Sequence, residues 1–306
     1  MPRNPYNKDQ LRAREQFNDS VADTFAKIHK DQSIFYVGAT NGSSAYSGRR
    51  ITAQKATIGQ ALSLCTASRG DTIIVSPFHT ETTTAATSIS TAGTKIKGLS
   101  IGNKRPVFTI NGAVDLFSLD AAGCEISGIE CAIVTTDAAT SFINIAAANC
   151  KVSDIYMVPS ATAVNVVDCI TLTASANDAV VSNVKAFNTT VAVNSFVSLE
   201  GAATRVLIEN CHFSGDVATA GIIDAATVTF LVFRNNLVKT VGTNIPACVL
   251  DSNPTGEAYG NYMLGTDATI ANNVNWGSAL ILANNYVRGG TGSTVSATNI
   301  IPALDT

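Results

Sequence analysis

A short motif returns along this chain at nearly constant intervals, and no other property of the sequence restricts the fold so tightly. Its form is an apolar segment closed by a small or polar residue. It occurs as Lys95-Ile-Lys-Gly-Leu99, Cys124-Glu-Ile-Ser-Gly-Ile129, Cys150-Lys-Val-Ser-Asp-Ile155 and Val180-Val-Ser-Asn-Val184. It continues as Val206-Leu-Ile-Glu-Asn-Cys211, Leu231-Val-Phe-Arg-Asn-Asn236, Ala258-Tyr-Gly-Asn261 and Leu280-Ile-Leu-Ala-Asn-Asn285. Aligned on their last residues, successive copies are 30, 26, 29, 27, 25, 25 and 24 positions apart. A second strand-like row runs in phase: Phe117-Ser-Leu119, Ile143-Asn-Ile145, Ile170-Thr-Leu172 and Val197-Ser-Leu199, at steps of 26, 27 and 27.

Two rows of short strands locked to one period describe a solenoid. A single turn of such a chain cannot bury its apolar face, and stacked turns build a continuous core. Asn, Gly, Asp and Ser separate the strands, and these residues suit sharp corners. Long helical patterns between the strands are missing, so a leucine-rich repeat and a doubly wound sheet are excluded. A propeller blade needs about 40 residues, so that period does not fit either. The expected fold is all-β: a single right-handed parallel β-helix of about eight coils, with an N-terminal helical arm and a capping helix. The column Asn183, Asn210, Asn235, continued one place along by Asn236, Asn261 and Asn285, is expected to be structural. Stacked amides can hydrogen-bond from coil to coil.

The first 32 residues differ from the rest and hold 11 charged side chains. Leu11, Phe17, Val21, Phe25 and Ile28 form the apolar stripe of an amphipathic helix, expected as an assembly arm or as a segment packed back on its own chain. Residues 33–70 read as a strand (34–37), a Gly/Ser-rich loop and a capping helix over 52–66 with Thr52 as N-cap. Residues 71–306 read as the β-helix itself.

Charge and cysteine usage narrow the function. Residues 1–105 carry 14 Lys+Arg and 7 Asp+Glu, a net of +7, whereas residues 106–306 carry 6 and 16, a net of −10. Tracts of Lys and Arg are absent, which speaks against nucleic-acid binding. No run approaches about 18 apolar residues, so no membrane helix is expected, and the N-terminus shows no secretory signal. Seven Cys without zinc spacing read as buried, reduced residues. No metal and no cofactor is expected.

The segments Phe35-Tyr-Val-Gly-Ala-Thr-Asn-Gly, Ala56-Thr-Ile-Gly-Gln-Ala-Leu and Gly70-Asp-Thr-Ile-Ile-Val-Ser-Pro resemble the opening of the pectate-lyase-like superfamily of right-handed parallel β-helices. The resemblance covers about residues 34–290 and implies the fold more specifically than any activity. The superfamily includes pectate lyases, polygalacturonases, phage tailspikes and non-enzymatic virion proteins. The Ala/Thr/Asn-rich texture, with Ile-Gly-Asn-Lys-Arg-Pro-Val-Phe-Thr at 101–109 and Ser-Phe-Ile-Asn-Ile-Ala-Ala at 141–147, is similar to phage structural proteins.

Acidic residues after the second strand row are the strongest catalytic candidates: Asp120, Glu200, Asp224 and Asp251. Glu200, Asp224 and Asp251 are expected on successive coils, where a carboxylate pair could bind a cation or raise one member's pKa. Ala146 and Thr173 interrupt that row, and the Asp-rich and Arg-bearing motifs of the enzymatic relatives are not recognisable. His79 reads as a turn residue and His212 as a surface strand residue. The leading expectation is therefore a non-enzymatic structural component of a phage particle. It would be a capsid decoration, vertex or fibre-like protein located in the virion, homotrimeric, with other virion proteins as partners. The alternative is a polysaccharide-degrading or glycan-binding β-helix, with Glu200, Asp224 and Asp251 as its site.

Overall fold

The computed structural model describes residues 32–39, 42–101, 104–133, 139–159, 166–188, 193–266, 273–278 and 280–288. The proposed arm residues Leu11, Phe17, Val21, Phe25 and Ile28 lie outside this set. What is described is a right-handed parallel β-helix. Three parallel sheets run along it, of ten, nine and eight strands, here called sheets 1, 2 and 3. From the strand Glu125–Ser127 onward, each coil passes from sheet 1 through a two-residue corner to sheet 2, then through a longer connection to sheet 3, and back to sheet 1.

The repeat read from the sequence is the register of sheet 1. Lys95, Glu125, Lys151, Val180, Leu207, Val232, Glu257 and Ile281 are successive neighbours across it. The second row is sheet 3, where Phe117, Ile143, Ile170 and Val197 align. Sheet 2 is the row that the sequence reading lacked. Its strands, such as Lys185–Phe187, His212–Asp216 and Tyr262–Leu264, follow the sheet 1 strands after only two residues. With so short a break they merge with the preceding motif.

The corners explain the spacing of Asn and Gly. Gly128, Asp154, Asn183, Asn210, Asn235, Gly260 and Asn284 occupy one column between sheets 1 and 2, all with φ between 52° and 72°. A side chain at such a φ clashes with its own backbone unless it is short and polar or absent. A second left-handed column sits where sheet 3 returns to sheet 1: Gly70, Gly93, Gly123, Asn149, Asp178, Arg205 and Phe230.

The single Asn column expected from the sequence is therefore two columns with different causes. Asn183, Asn210 and Asn235 are exposed corner residues set by backbone geometry. Asn236, Asn261 and Asn285 point inward and are buried. Asn236 Nδ2 donates to Asn261 Oδ1 at 3.0 Å, and Asn261 Nδ2 donates to Asn285 Oδ1 at 2.9 Å. Earlier coils fill the same inward column with Ile129, Ile155, Val184 and Cys211.

Inward residues of the three sheets form one core, with Trp276, Phe35, Phe108, Phe117, Phe142, Phe196, Phe213 and Phe233 as its largest members. The seven Cys are free; six are buried in this core and Cys65 is half-buried. The capping helix α1 is shorter than expected, Ile58–Leu62, and its N-cap is Thr57 rather than Thr52. Residues just before it are held as extended chain instead: Lys55 N–H donates to Tyr36 O, and Gly38 N–H to Lys55 O. Thr57 Oγ1 accepts from Gln60 N–H, and Ile58 and Ala61 are buried beneath the helix. His79 closes the turn after the strand Thr72–Val75, and it is buried. Its Nε2 lies 2.9 Å from Glu81 Oε2, which also accepts Ile58 N–H, so this pair ties α1 to the first coil.

Candidate functional site

The carboxylates expected to form one row are staggered. Leu199 aligns with Asp224 across sheet 3, so Glu200 falls one place beyond Asp224. Ile223 aligns with Val249, which puts Asp251 in the column of Glu200 with Ala225 between them. Asp224 thus occupies the inward column of Leu119, Ile145, Leu172 and Leu199, which the buried Leu250 continues. Burial pushes its carboxyl above the usual range, opposed by the N–H groups of Ser252 and Asp251, and the Asp251 charge adds to the rise.

Three of the four candidate carboxylates, Asp120, Asp224 and Asp251, fasten a neighbouring coil. Asp224 accepts Ser252 N–H at 3.2 and 3.3 Å, and Asp251 accepts Asn275 Nδ2 at 2.5 Å. Asp120 accepts the Ser118 hydroxyl at 2.5 Å and also the Ser88 hydroxyl. A general acid needs a carboxyl free to meet a leaving group, and these oxygens already hold turns. Among the described residues no group of three or more His, Cys, Asp or Glu could hold a metal ion.

A buried polar chain that the sequence did not reveal lies in sheet 3. Ser141, Asp168 and Ser195 align on neighbouring coils. Ser195 Oγ donates to Asp168 Oδ1 at 2.5 Å, and Ser141 Oγ donates to Asp115 Oδ1 at 2.7 Å. Asp168 is 2% exposed, and burial pushes its carboxyl up against the lowering effect of Ser195. Within a β-branched segment, a lone Asp between Val167 and Cys169 gave no sign of this.

The outer face of sheet 2 has a different chemistry. One outward column reads Glu130, Tyr156, Lys185, His212, Leu237, Tyr262, Tyr286, and the next reads Ala132, Val158, Phe187, Ser214, Lys239, Leu264, Arg288. Ring centroids of Tyr156 and Phe187 are 6.0 Å apart, and His212 meets Phe187 edge-on at 4.6 Å. Tyr262 and Tyr286 stack at 4.2 Å and remain 47% and 36% exposed. Burial and the neighbouring Lys185 both lower the His212 pKa, so its ring is neutral near pH 7. Lys185, Lys239 and Arg288 make no ion pair among the described residues. His212 was legible as a surface strand residue. The ribbon was not, because its strands had not been separated from their neighbours.

A shallow cleft of about 430 Å³ lies on the outer face of sheet 1, lined by Arg205, Leu207, Phe230, Val232, Arg234 and Glu257. No helix among the described residues is long and apolar enough to cross a membrane.

No family model matches the sequence, and no curated protein matches it. Among solved structures, pectate lyase Pel9A superposes with a TM-score of 0.61 at 12% identity, over 89% of this chain and 80% of that one. A rhamnogalacturonan lyase gives a TM-score of 0.48 at 10% identity, over 87% of this chain and 90% of that one. At 12% identity the first likeness is one of fold alone, that of a parallel β-helix.

Proposed function

We propose that this protein is a glycan-binding β-helix whose sugar platform is the outer face of sheet 2. The observation that carries the reading is the outward ladder of half-buried rings Tyr156, Phe187 and His212, resumed by the exposed Tyr262 and Tyr286. Aromatic rings offer flat apolar faces with polar edges, which suits the apolar C–H faces and hydroxyl rims of sugar rings. Coils about 4.8 Å apart repeat at close to the length of one sugar unit in an extended chain. The fold neighbour named as a pectate lyase accords with a polysaccharide ligand.

Binding without cleavage is favoured over catalysis at Glu200, Asp224 and Asp251. These residues do not form one row, and Asp224 and Asp251 are engaged in holding turns. A structural role in a phage particle, with attachment through the first 32 residues and a homotrimer, gains no support from the fold or its neighbours.

Affinity electrophoresis through gels carrying neutral and acidic polysaccharides tests the reading. At least one polymer is expected to retard the wild type. The double variant Tyr262→Ala/Tyr286→Ala is expected to lose about tenfold in affinity, equivalent to about 1.4 kcal/mol. The triple variant Glu200→Gln/Asp224→Asn/Asp251→Asn is expected to bind like the wild type and to release no new chain ends from the polymer. Retardation by no polymer, or equal binding by the tyrosine variant, would overturn the proposal.

A further inference from the structure

Sheet 1 carries a patch that the glycan reading leaves unused, on a different face from the aromatic ribbon. Phe230 is its most conspicuous member. It is 65% exposed and sits at φ 57° in the corner column otherwise filled by Gly, Asn, Asp and Arg205. A bulky residue in this conformation is strained, and here the strain holds an aromatic ring in open solvent. Beside it the sheet is apolar, with Leu207 and Val232 flooring the cleft.

The two central coils carry three pairs in register. Leu207 aligns with Val232, and Glu209 with Arg234. Two residues upstream in each coil, Arg205 stands opposite Phe230. A two-fold axis parallel to the strands and midway between these coils exchanges the members of every pair. Arg205 then meets the partner's Phe230, Leu207 meets the partner's Val232, and Glu209 meets the partner's Arg234. Each contact is complementary: cation on ring face, aliphatic on aliphatic, and acid on base. Each is also made twice, as an isologous interface requires. Within one chain Arg234 already donates to Glu209 Oε2 at 2.8 Å and Arg205 to Asp178 Oδ1 at 2.5 Å. Both guanidinium groups are thus fixed before any partner arrives.

We propose that sheet 1 docks a second copy of this chain, antiparallel and face to face, about a two-fold axis between the coils of Leu207 and Val232. At the rim, Ser182 lies opposite the partner's Tyr259 and Val180 opposite the partner's Glu257. Four coils at about 4.8 Å and about five residues of strand at 3.3 Å span roughly 300 Å² per chain. The total of about 600 Å² falls short of the roughly 1,000 Å² of a stable interface, so the dimer is weak and concentration-dependent. Sheet 2 stays open in it, and glycan binding survives dimerisation.

Sedimentation velocity from about 1 to 200 μM tests the proposal on the full chain. The wild-type mass is expected to rise from one chain towards two. Phe230→Asp and Arg234→Glu are expected to stay monomeric, the latter because it gathers four acids about the axis. The swap Glu209→Arg/Arg234→Glu restores the alternation of charge, and it is expected to recover the dimer. Circular dichroism melts within a few degrees of wild type establish that each variant is folded. A wild type that stays monomeric throughout, a trimer, or a dimer indifferent to Phe230→Asp and Arg234→Glu overturns the two-fold contact. So does a folded swap variant that fails to recover it.

Discussion

Replacing Asn261 by Ala should damage the rod far more than any change at Asn235. In the folded chain the Asn261 amide makes four contacts. Its Nδ2 donates to Phe233 O at 2.7 Å and to Asn285 Oδ1 at 2.9 Å. Its Oδ1 accepts Asn236 N–H and Asn236 Nδ2, both at 3.0 Å. Truncation leaves the buried Asn236 N–H without an acceptor and removes one partner from each of three other buried groups. An orphaned buried polar group costs about 1–3 kcal/mol. One full orphan, three weakened groups and a small cavity together give a loss of about 3–5 kcal/mol. The control is Asn235→Gly. Asn235 is an exposed corner residue at φ 55°, where glycine is at home. Lost backbone entropy and relieved left-handed strain nearly cancel there, within about 1 kcal/mol. Trp276, the one tryptophan, is buried with its ring 6.0 Å from Phe233, so its fluorescence in urea reports this end of the rod. Amide exchange at Asn236 and Cys211 localises the damage, since both N–H groups bond to ladder oxygens. If Asn261→Ala and Asn235→Gly shift the urea midpoint equally, or Asn236 keeps its protection in Asn261→Ala, the account of the ladder is wrong.

Arg69→Ala should destabilise the protein at pH 7, because the buried Asp71 carboxylate would lose its two-pronged partner. In the wild type, burial opposes ionisation of Asp71, but Arg69 and the N–H groups of Ser33 and Thr66 outweigh it and lower its pKa. Its stabilisation is therefore complete above the ordinary 3.8 and fades as pH falls through the depressed folded value. Urea midpoints at pH 7 and pH 3 should show the variant's deficit shrinking in acid; a constant deficit would refute the charge argument. Asp168 has the opposite sign, since its folded pKa is raised. The native state holds that proton more tightly, so stability declines as pH rises from 3.8 through the raised value. Asp168→Asn keeps an acceptor for Ser195 and should flatten the profile of urea midpoint between pH 4 and 7. An unchanged slope would mean that Asp168 does not titrate there.

The period was legible because side chains that share a column face the same surroundings in every coil. Apolar residues recur wherever the column faces the core, and the steps read from the last residues of the motif are those of sheet 1. The corner Asn and Gly were legible for a similar reason, since only a few residue types tolerate positive φ. Sheet 2 escaped notice because its strands are three to five residues long and only two residues separate most of them from sheet 1. With that row missing, Tyr156, Phe187, Tyr262 and Tyr286 belonged to no common face. The acidic row failed by one position. Counting residues between Glu200 and Asp224 locates a coil but not a register, and a shift of one residue turns an outward side chain inward. The capping helix failed because Lys55 pairs with the first strand and Ala53 bridges Arg50, and a pattern of spaced apolar residues does not reveal such bridges.

The corner between sheets 1 and 2 also makes the coil a removable unit. Asn235 turns the chain and Asn236 enters the ladder. One coil earlier Asn210 turns it in the same way, with the same backbone conformation. Excising residues 211–235 would join Asn210 directly to Asn236, leaving a turning residue followed by a ladder residue. Every later coil would move one step down the axis and meet a surface of the same shape. Length in this molecule is counted in whole coils, so insertion or loss of a complete repeat changes the reach of the rod while leaving its cross-section intact.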